Sequence, residues 1–353
     1  MTHSRRPWRK MIAGLAGLFI AAPMLAACAS EPAPAPTDPG IEPVPPVSFG
    51  VLRAPTGALA VVTGEKGWFA EAGVEVEFES FAEGGGPAII QAMAGGTPDV
   101  ALLNTAAVVQ ALGQGTFDVQ IVSIAADPAA ALPLLAVAGI DSVEDLRGKR
   151  VSTPKGGGQY YLLAAILDKH GMTFDDIDYK PLAVGEAQAA FLTGQLDAVI
   201  SSANGTVLIK KNMPDTNVLF DGHDFDESDA YSSPDVLIAT RAAVEENPEG
   251  VARFVRAYHE AGIGFLEDSA TRDEAIQAIQ DYMTSVGAGV DELEATRDAV
   301  DAIAFPGLAE AQEWLASPEY LSALENQAQF WIDSGVFATM PDFASAINTS
   351  LIK

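Results

Sequence analysis

The sequence predicts an α/β fold of two similar lobes, each a sheet with helices on both faces. Three observations predict it. From Val47 onward short apolar strands alternate with helical stretches, the pattern of a largely parallel sheet flanked by helices. The stretches IIQAMAGGTPDVALL and QAAFLTGQLDAVIS echo one another: each has a small-residue helix, a glycine that ends it and an aspartate opening an apolar strand. Finally, 353 residues suffice for roughly two domains, and 48% of them are hydrophobic, enough to fill two cores.

Taken in order, VSFGVLRA reads as a buried strand, ALAVVTGEKGWFAEAG as a helix ended by Gly73, and VEVEFESF as an alternating strand. GGGPAIIQAMAGG follows as a glycine-entered helix, DVALLN as a strand, TAAVVQALGQG as a helix and DVQIVSIA as a strand. LPLLAVA is apolar enough to cross between lobes. The order then repeats: SVEDLRGK as a short helix capped by Ser142, RVSTP as a strand, GGGQYYLLAAILDK as a helix, DYKPLA as a strand, GEAQAAFLTGQ as a helix and DAVISS as a strand. SPDVLIAT is the second crossing strand. Beyond it the chain is mostly helical, with amphipathic stretches such as RDEAIQAIQDYM and PEYLSALENQAQFWIDSG that need a lobe to pack on.

The first 47 residues read as an address and a tether. A basic head, MTHSRRPWRK, precedes one apolar stretch and then Cys28, the layout of a cleaved secretory signal; Pro23 interrupts the stretch, which is short for a membrane span of about 20 residues. Cys28 is the sole cysteine, so neither an intramolecular disulfide nor a cysteine-rich metal site is available. LAAC, Leu25 to Cys28, resembles the lipobox of bacterial lipoproteins, which implies lipidation of Cys28. SRRPWRK resembles a twin-arginine signal, with Arg9 where that motif usually has an apolar residue, and both export routes stay open. The following ASEPAPAPTDPGIEPVPP is a semi-rigid extended tether.

Net charge is −28, and removing the four basic residues of the head leaves 16 basic against 48 acidic. So acidic a chain is ill suited to nucleic acid, whose phosphates need Lys and Arg.

Several stretches are similar to the solute-binding proteins of ABC importers in the sulfonate/nitrate/taurine/thiamine-precursor (SsuA/THI5-like) family. They are EKGWFAEAGVEVEFESF, GGGPAIIQAMAGGTPDVALLN, SVEDLRGKRVSTPKGGGQYYLLAAILDKHGMTFDDIDYKPL, GQLDAVISS and AAVEENPEGVARFVRAYHEA. The resemblance covers nearly everything from Val47 to the end. It implies a hinged, two-lobed periplasmic-binding-protein fold of type II, an extracytoplasmic lipid-anchored monomer, and an ABC permease and ATPase as partners of a small-molecule carrier. The expected layout is a lipoprotein signal over 1–27, a tether over 28–47, lobe one over 48–136 plus 236–353, and lobe two over 137–235.

Within that layout the glycines of TPKGGGQYY are expected to line a cleft. A P-loop needs Lys followed by Ser or Thr at its end, whereas Lys155 precedes the glycines. What remains is physical: glycines admit close backbone approach, and helix starts favour anions. Open α/β sheets bind ligands at strand ends, which makes Pro55, Thr56, Gly57, Gly84, Gly85, Gly86, Asn104, Thr105, Gly157, Gln159, Tyr160, Ser201, Ser202 and Asn204 the candidate contacts. Each also has a plain role as a turn or cap, and only one of Tyr160 and Tyr161 can face a ligand. Lys155 reads better as a solvated lysine. Where some relatives carry a tryptophan after the LDA strand, this chain has SSANG, which weakens the sulfonate expectation and admits a bulkier ligand.

No cofactor, metal or catalytic residue is expected. DGHDFDESD, around His223, lacks an EF-hand's spacing and central glycine and reads as a solvated acidic loop. His170 sits at a helix end, His259 on a helix surface or in the core, and Trp314 and Trp331 in the core. Three function classes compete: a transport carrier for a small anionic solute such as an aliphatic sulfonate, with a neutral thiamine-pyrimidine precursor as the alternative; a sensor on the same fold; and a biosynthetic enzyme like the family's eukaryotic relative, disfavoured because that chemistry uses a cysteine-rich motif.

Overall fold

The computed structural model describes residues 41–81, 85–115, 118–224, 233–288 and 293–352. The signal, Cys28, most of the tether, Gly84 and most of the acidic loop lie outside the described residues. Among the described residues ten strands run in chain order: β1 (Val47–Leu52), β2 (Val76–Phe81), β3 (Val100–Asn104), β4 (Val119–Ala126), β5 (Leu134–Ala136), β6 (Arg150–Thr153), β7 (Asp178–Pro181), β8 (Ala198–Ile200), β9 (Asn217–Phe220) and β10 (Asp235–Thr240). They form two five-stranded sheets, ordered β2-β1-β3-β10-β4 and β7-β6-β8-β5-β9.

The two sheets share a plan. Three strands of each are parallel neighbours, and the fourth place is taken by a strand antiparallel to both of its neighbours: β10 between β3 and β4, and β5 between β8 and β9. The chain enters the second sheet after β4 and returns after β9, so two crossovers join the lobes. Leu134–Ala136, expected to close the first lobe, hydrogen-bonds wholly within the second sheet.

Alternating side chains fill a core on each face, as the period of a strand requires. In the first lobe Val100, Leu102, Leu237 and Ala239 face one core, while Ala101, Leu103, Val236 and Ile238 face the other. The C-terminal helices supply both. Phe254 and Val255 of the helix Pro248–Ala257, with Ile276 and Ile279 of Arg272–Ser285, pack on the first face; Tyr320, Leu324 and Trp331 of Pro318–Asp333 pack on the second. The second lobe repeats this on a smaller scale, with Leu134 and Val151 turned to Leu162 and Ile166, and Leu135 and Val199 turned to Phe191 and Ile209.

Some elements differ from the sequence expectation. The single helix drawn through EKGWFAEAG is two, Pro55–Glu65 and Trp68–Glu71, parted at Gly67, whose φ of 82° only glycine adopts readily. SVEDLRGK yields one tight turn, Glu144–Leu146, where Ser142 Oγ donates to Asp145 at 2.9 Å. A helix, Ala203–Asn212, and strand β9 occupy a stretch to which the sequence assigned nothing. His259 is buried, not superficial: its Nδ1 donates to the Pro306 carbonyl at 3.1 Å, leaving Nε2 to accept from Ser123 Oγ at 2.8 Å. Burial pulls its pKa down to about 4, against the opposing pull of the Pro306 bond.

Candidate solute cleft

The C-terminal ends of the parallel strands in both sheets open on one cavity of about 680 Å³ between the lobes, within the usual range of small-molecule sites. Six helices begin at its wall. The first lobe contributes the starts of Pro55–Glu65, Gly86–Ala94 and Thr105–Gly113, and the second those of Gly157–Lys169, Val184–Leu192 and Ala203–Asn212. Each start carries backbone N–H groups without intrahelical partners and a partial positive charge. Between these ends the lining is largely aliphatic, including Leu52, Ile90, Leu103, Leu132 and Ile303.

Seven of the predicted residues line the cavity: Pro55, Thr56, Gly86, Asn104, Gly157, Gln159 and Ser202. Asn104 caps its helix by accepting from Ala106 N at 3.1 Å, and its amide donates to the Ser233 carbonyl at 2.7 Å. Ser202 caps the next lobe's helix through Gly205 N at 3.2 Å and accepts from Gln188 at 3.1 Å. Capping and lining therefore coincide in both residues.

The other candidates are placed elsewhere. Gly57 is buried where a β-carbon would strike the Leu52 carbonyl, so it serves the packing of helix on strand. Thr105 is buried, its hydroxyl donating to Pro234 O at 2.7 Å beside Tyr320. Ser201 is buried and bonds to the Ser202 carbonyl. Gly85 precedes the Gly86 helix without lining the cavity, and Gly84 is outside the described residues. Asn204 donates to Ala288 O at 3.1 Å, joining the second lobe to the C-terminal helices. Tyr160 turns away from the cavity into an aromatic stack between Phe174 (4.5 Å between centroids, 9°) and Trp331 (5.7 Å, 14°), and Tyr161 is core, 7% exposed.

Three features of the wall lie outside the named candidate contacts. Gly156 and Gly158 flank Gly157; a β-carbon on Gly158 would overlap the Asn104 amide across the cleft, so the lobes touch there because the residue is glycine. Lys155 is exposed yet lines the cavity at its mouth. Asp235 is the third. It keeps some accessible surface and lines the cavity, yet enough protein surrounds its carboxyl that desolvation pushes the pKa up to about 6, against hydrogen bonds from Asn104 and Thr56, with Asp127 adding repulsion. Its place follows from sheet pairing: β10 is antiparallel and Asp235 pairs with Asn104, so its first residue lies where its neighbours' last residues lie. Gln91, Gln110 and Gln114, helix-face amides in the lining, carried no signal in the sequence.

A second groove, about 610 Å³ between Trp68, Glu71, Arg253 and Arg256, lies away from the strand ends. Both of its arginines are held by Glu249.

Comparison with known families settles the descent of this architecture. The NMT1/THI5-like family matches residues 55–268, from the first cleft helix through both walls. The chain belongs to the NMT1/THI5-like family. A relative named as a binding protein in Brucella abortus is 29% identical over 219 residues, 61% of this chain; the match spans 66% of that protein, a little under two thirds of its length. The periplasmic aliphatic sulphonate binding protein SsuA from Escherichia coli superposes with a TM-score of 0.70 at 18% identity, covering 86% of this chain and 91% of that one. SsuA from Xanthomonas axonopodis pv. citri, an alkanesulfonate-binding protein bound to MOPS, also gives 0.70 at 18% identity, over 87% and 99%. This NMT1/THI5-like chain thus has the two-lobed periplasmic-binding-protein fold.

Proposed function

We propose that this chain is the extracytoplasmic solute-binding protein of an ABC importer, held at the membrane by lipid on Cys28 and capturing a small organic acid of the aliphatic sulfonate type between its lobes. The observation that carries the reading is the ring of six helix starts around one interlobe cavity. The helix-start N–H groups that the Asn104 and Ser202 caps leave free, together with the helix dipoles, can hold an oxyanion without any arginine, and the aliphatic lining suits a carbon body behind it. The names of the SsuA relatives favour sulfonates among organic acids. The polar lining side chains are amides, hydroxyls, one lysine and one carboxylate, a set for holding a solute and handing it on to a permease unchanged.

Native mass spectrometry and thermal shift of the full-length chain against alkanesulfonates, nitrate, aromatic acids and pyrimidines test this. A true ligand at a hundredfold excess over its Kd stabilises by about 2.7 kcal/mol. A shift from a neutral pyrimidine with silence from every acid would overturn the anion and leave the carrier; silence throughout would overturn both. For the anchor, Cys28→Ala is expected to move the protein from the membrane fraction to the soluble one.

A further inference from the structure

We infer that an aromatic clasp outside the cavity, made where Tyr160 of the second lobe stacks on Trp331 of the first, sets how tightly the closed lobes hold a solute. The inference rests on the reading of the cavity as a solute cleft and adds a closing contact that lies outside it.

Tyr160 belongs to the second lobe through its helix, Gly157–Lys169, and Trp331 to the first through Pro318–Asp333. The Tyr160 ring lies nearly parallel to one ring of each lobe, Phe174 on its own and Trp331 on the other, at 9° and 14°. Within the second lobe Tyr179 meets both Tyr160 (5.7 Å between centroids, 65°) and Phe174 (4.9 Å, 66°) edge-on. Its hydroxyl donates to Thr153 O at 3.0 Å, which ties this nest to β6. Within the first lobe Phe330 stands edge-on to Trp331 (4.8 Å, 65°) and reaches Tyr160 at 6.1 Å and Tyr161 at 5.4 Å. Trp331 itself is 1% exposed, so the ring that receives Tyr160 is seated in the core.

Each half of the clasp is thus fixed inside its own lobe, and the join runs through Tyr160 and Tyr161. Aromatic pairs attract with centroids about 4.5–7 Å apart, so a hinge movement of a few ångströms breaks them. The helix that carries Tyr160 also begins at the cavity, where Gly157 and Gln159 line the wall. A movement that brings this helix start onto a solute therefore brings Tyr160 onto Trp331. Two other meeting points of the lobes use small or polar groups: Gly158 against the Asn104 amide, and Asn204 donating to Ala288 O at 3.1 Å. The clasp favours the closed state whatever occupies the cavity, and by linkage it adds to the apparent affinity for every solute.

Titration calorimetry of hexane-1-sulfonate on the full-length chain tests this. Tyr160→Leu is expected to weaken binding about two- to tenfold, the range one aromatic pair supplies, while Tyr160→Phe, which keeps the ring, binds as wild type does. Phe330→Leu, on the facing lobe, is expected to show a similar loss and stands in should Tyr160→Leu fail to fold. Because the two rings belong to one contact, the double variant is expected to lose less than the product of the single losses. Unchanged affinity in both single variants, or losses that multiply independently, overturns the clasp. If the sulfonate does not bind wild type, the acid reading fails separately and small-angle X-ray scattering of the ligand-free chain decides. A larger radius of gyration in Tyr160→Leu than in Tyr160→Phe keeps the clasp, and equal radii overturn it.

Discussion

The two walls of the cleft are reached by the same strand order but meet a solute with different groups. On the first lobe the contacts are side chains bound to one another: Thr56 and Asn104 to Asp235, and Asn104 to Ser233 and Ala106. On the second lobe they are chiefly backbone, Gly156 to Gly158, with the capped Ser202 beside them. A wall of interlocked side chains can discriminate, because replacing one group leaves another unpaired. A wall of glycine backbone can approach closely and offers N–H groups to any anion. On the proposed reading of the cleft, the difference would give selection to the first lobe and closure to the second.

The largest effect expected of this division lies on the selective wall. The Asp235 pKa is raised in the folded chain, from 3.8 to about 6. Such a shift leaves stability intact below pH 4 and removes it as pH rises through 6, by at most about 3 kcal/mol. Asp235→Asn in the ligand-free chain should therefore raise the melting temperature at pH 7.5 and leave it unchanged at pH 4. A stabilisation equal at both values would show that the carboxyl is not desolvated.

Next comes the closing wall. Gly158→Ala places a methyl group against the Asn104 amide, an overpacking of about 1–3 kcal/mol that should appear as a ten- to hundredfold loss in ligand affinity. The unliganded melting temperature should hold if that contact forms only when the lobes close on a ligand. A fall in stability without ligand would mean that contact is part of the resting fold.

Smaller again, Ser202→Ala removes a helix cap, with a loss of about 1 kcal/mol that denaturant unfolding can read, and weakens binding by a similar amount if the cap also holds the ligand. Smallest is Lys155→Ala at the mouth. An exposed charge contributes up to about 1 kcal/mol, so affinity should fall no more than about fivefold and the difference should vanish at high salt.

Much of this was legible in the sequence because it rests on short-range patterns. Strand periodicity located nine of the ten strands, and the amphipathic C-terminal helices pack on the first lobe, the one unfinished when they begin. β9 was missed because NVLF is short and follows a proline-and-asparagine turn without alternation. In the site, residues that mark a strand-to-helix junction were found, since Asn104, Gly86 and Ser202 announce themselves as caps or glycines. Tyr160 could not be placed because its partner Trp331 lies far along the chain. Asp235 needed the direction of β10, which only sheet pairing reveals.

That returning strand has a consequence for the order in which the molecule assembles. β4 touches the rest of its sheet only through β10, which is made after every strand of the second lobe. All five strands of the second sheet lie in one continuous run, Leu134 to Phe220. The second lobe can therefore complete its hydrogen bonding from local chain, whereas the first must wait for a distant segment to be threaded between two strands already present. Pulse-labelled hydrogen exchange should find β6 and β8 protected before β3 and β4, so that the glycine wall of the cleft is finished before the wall of interlocked side chains.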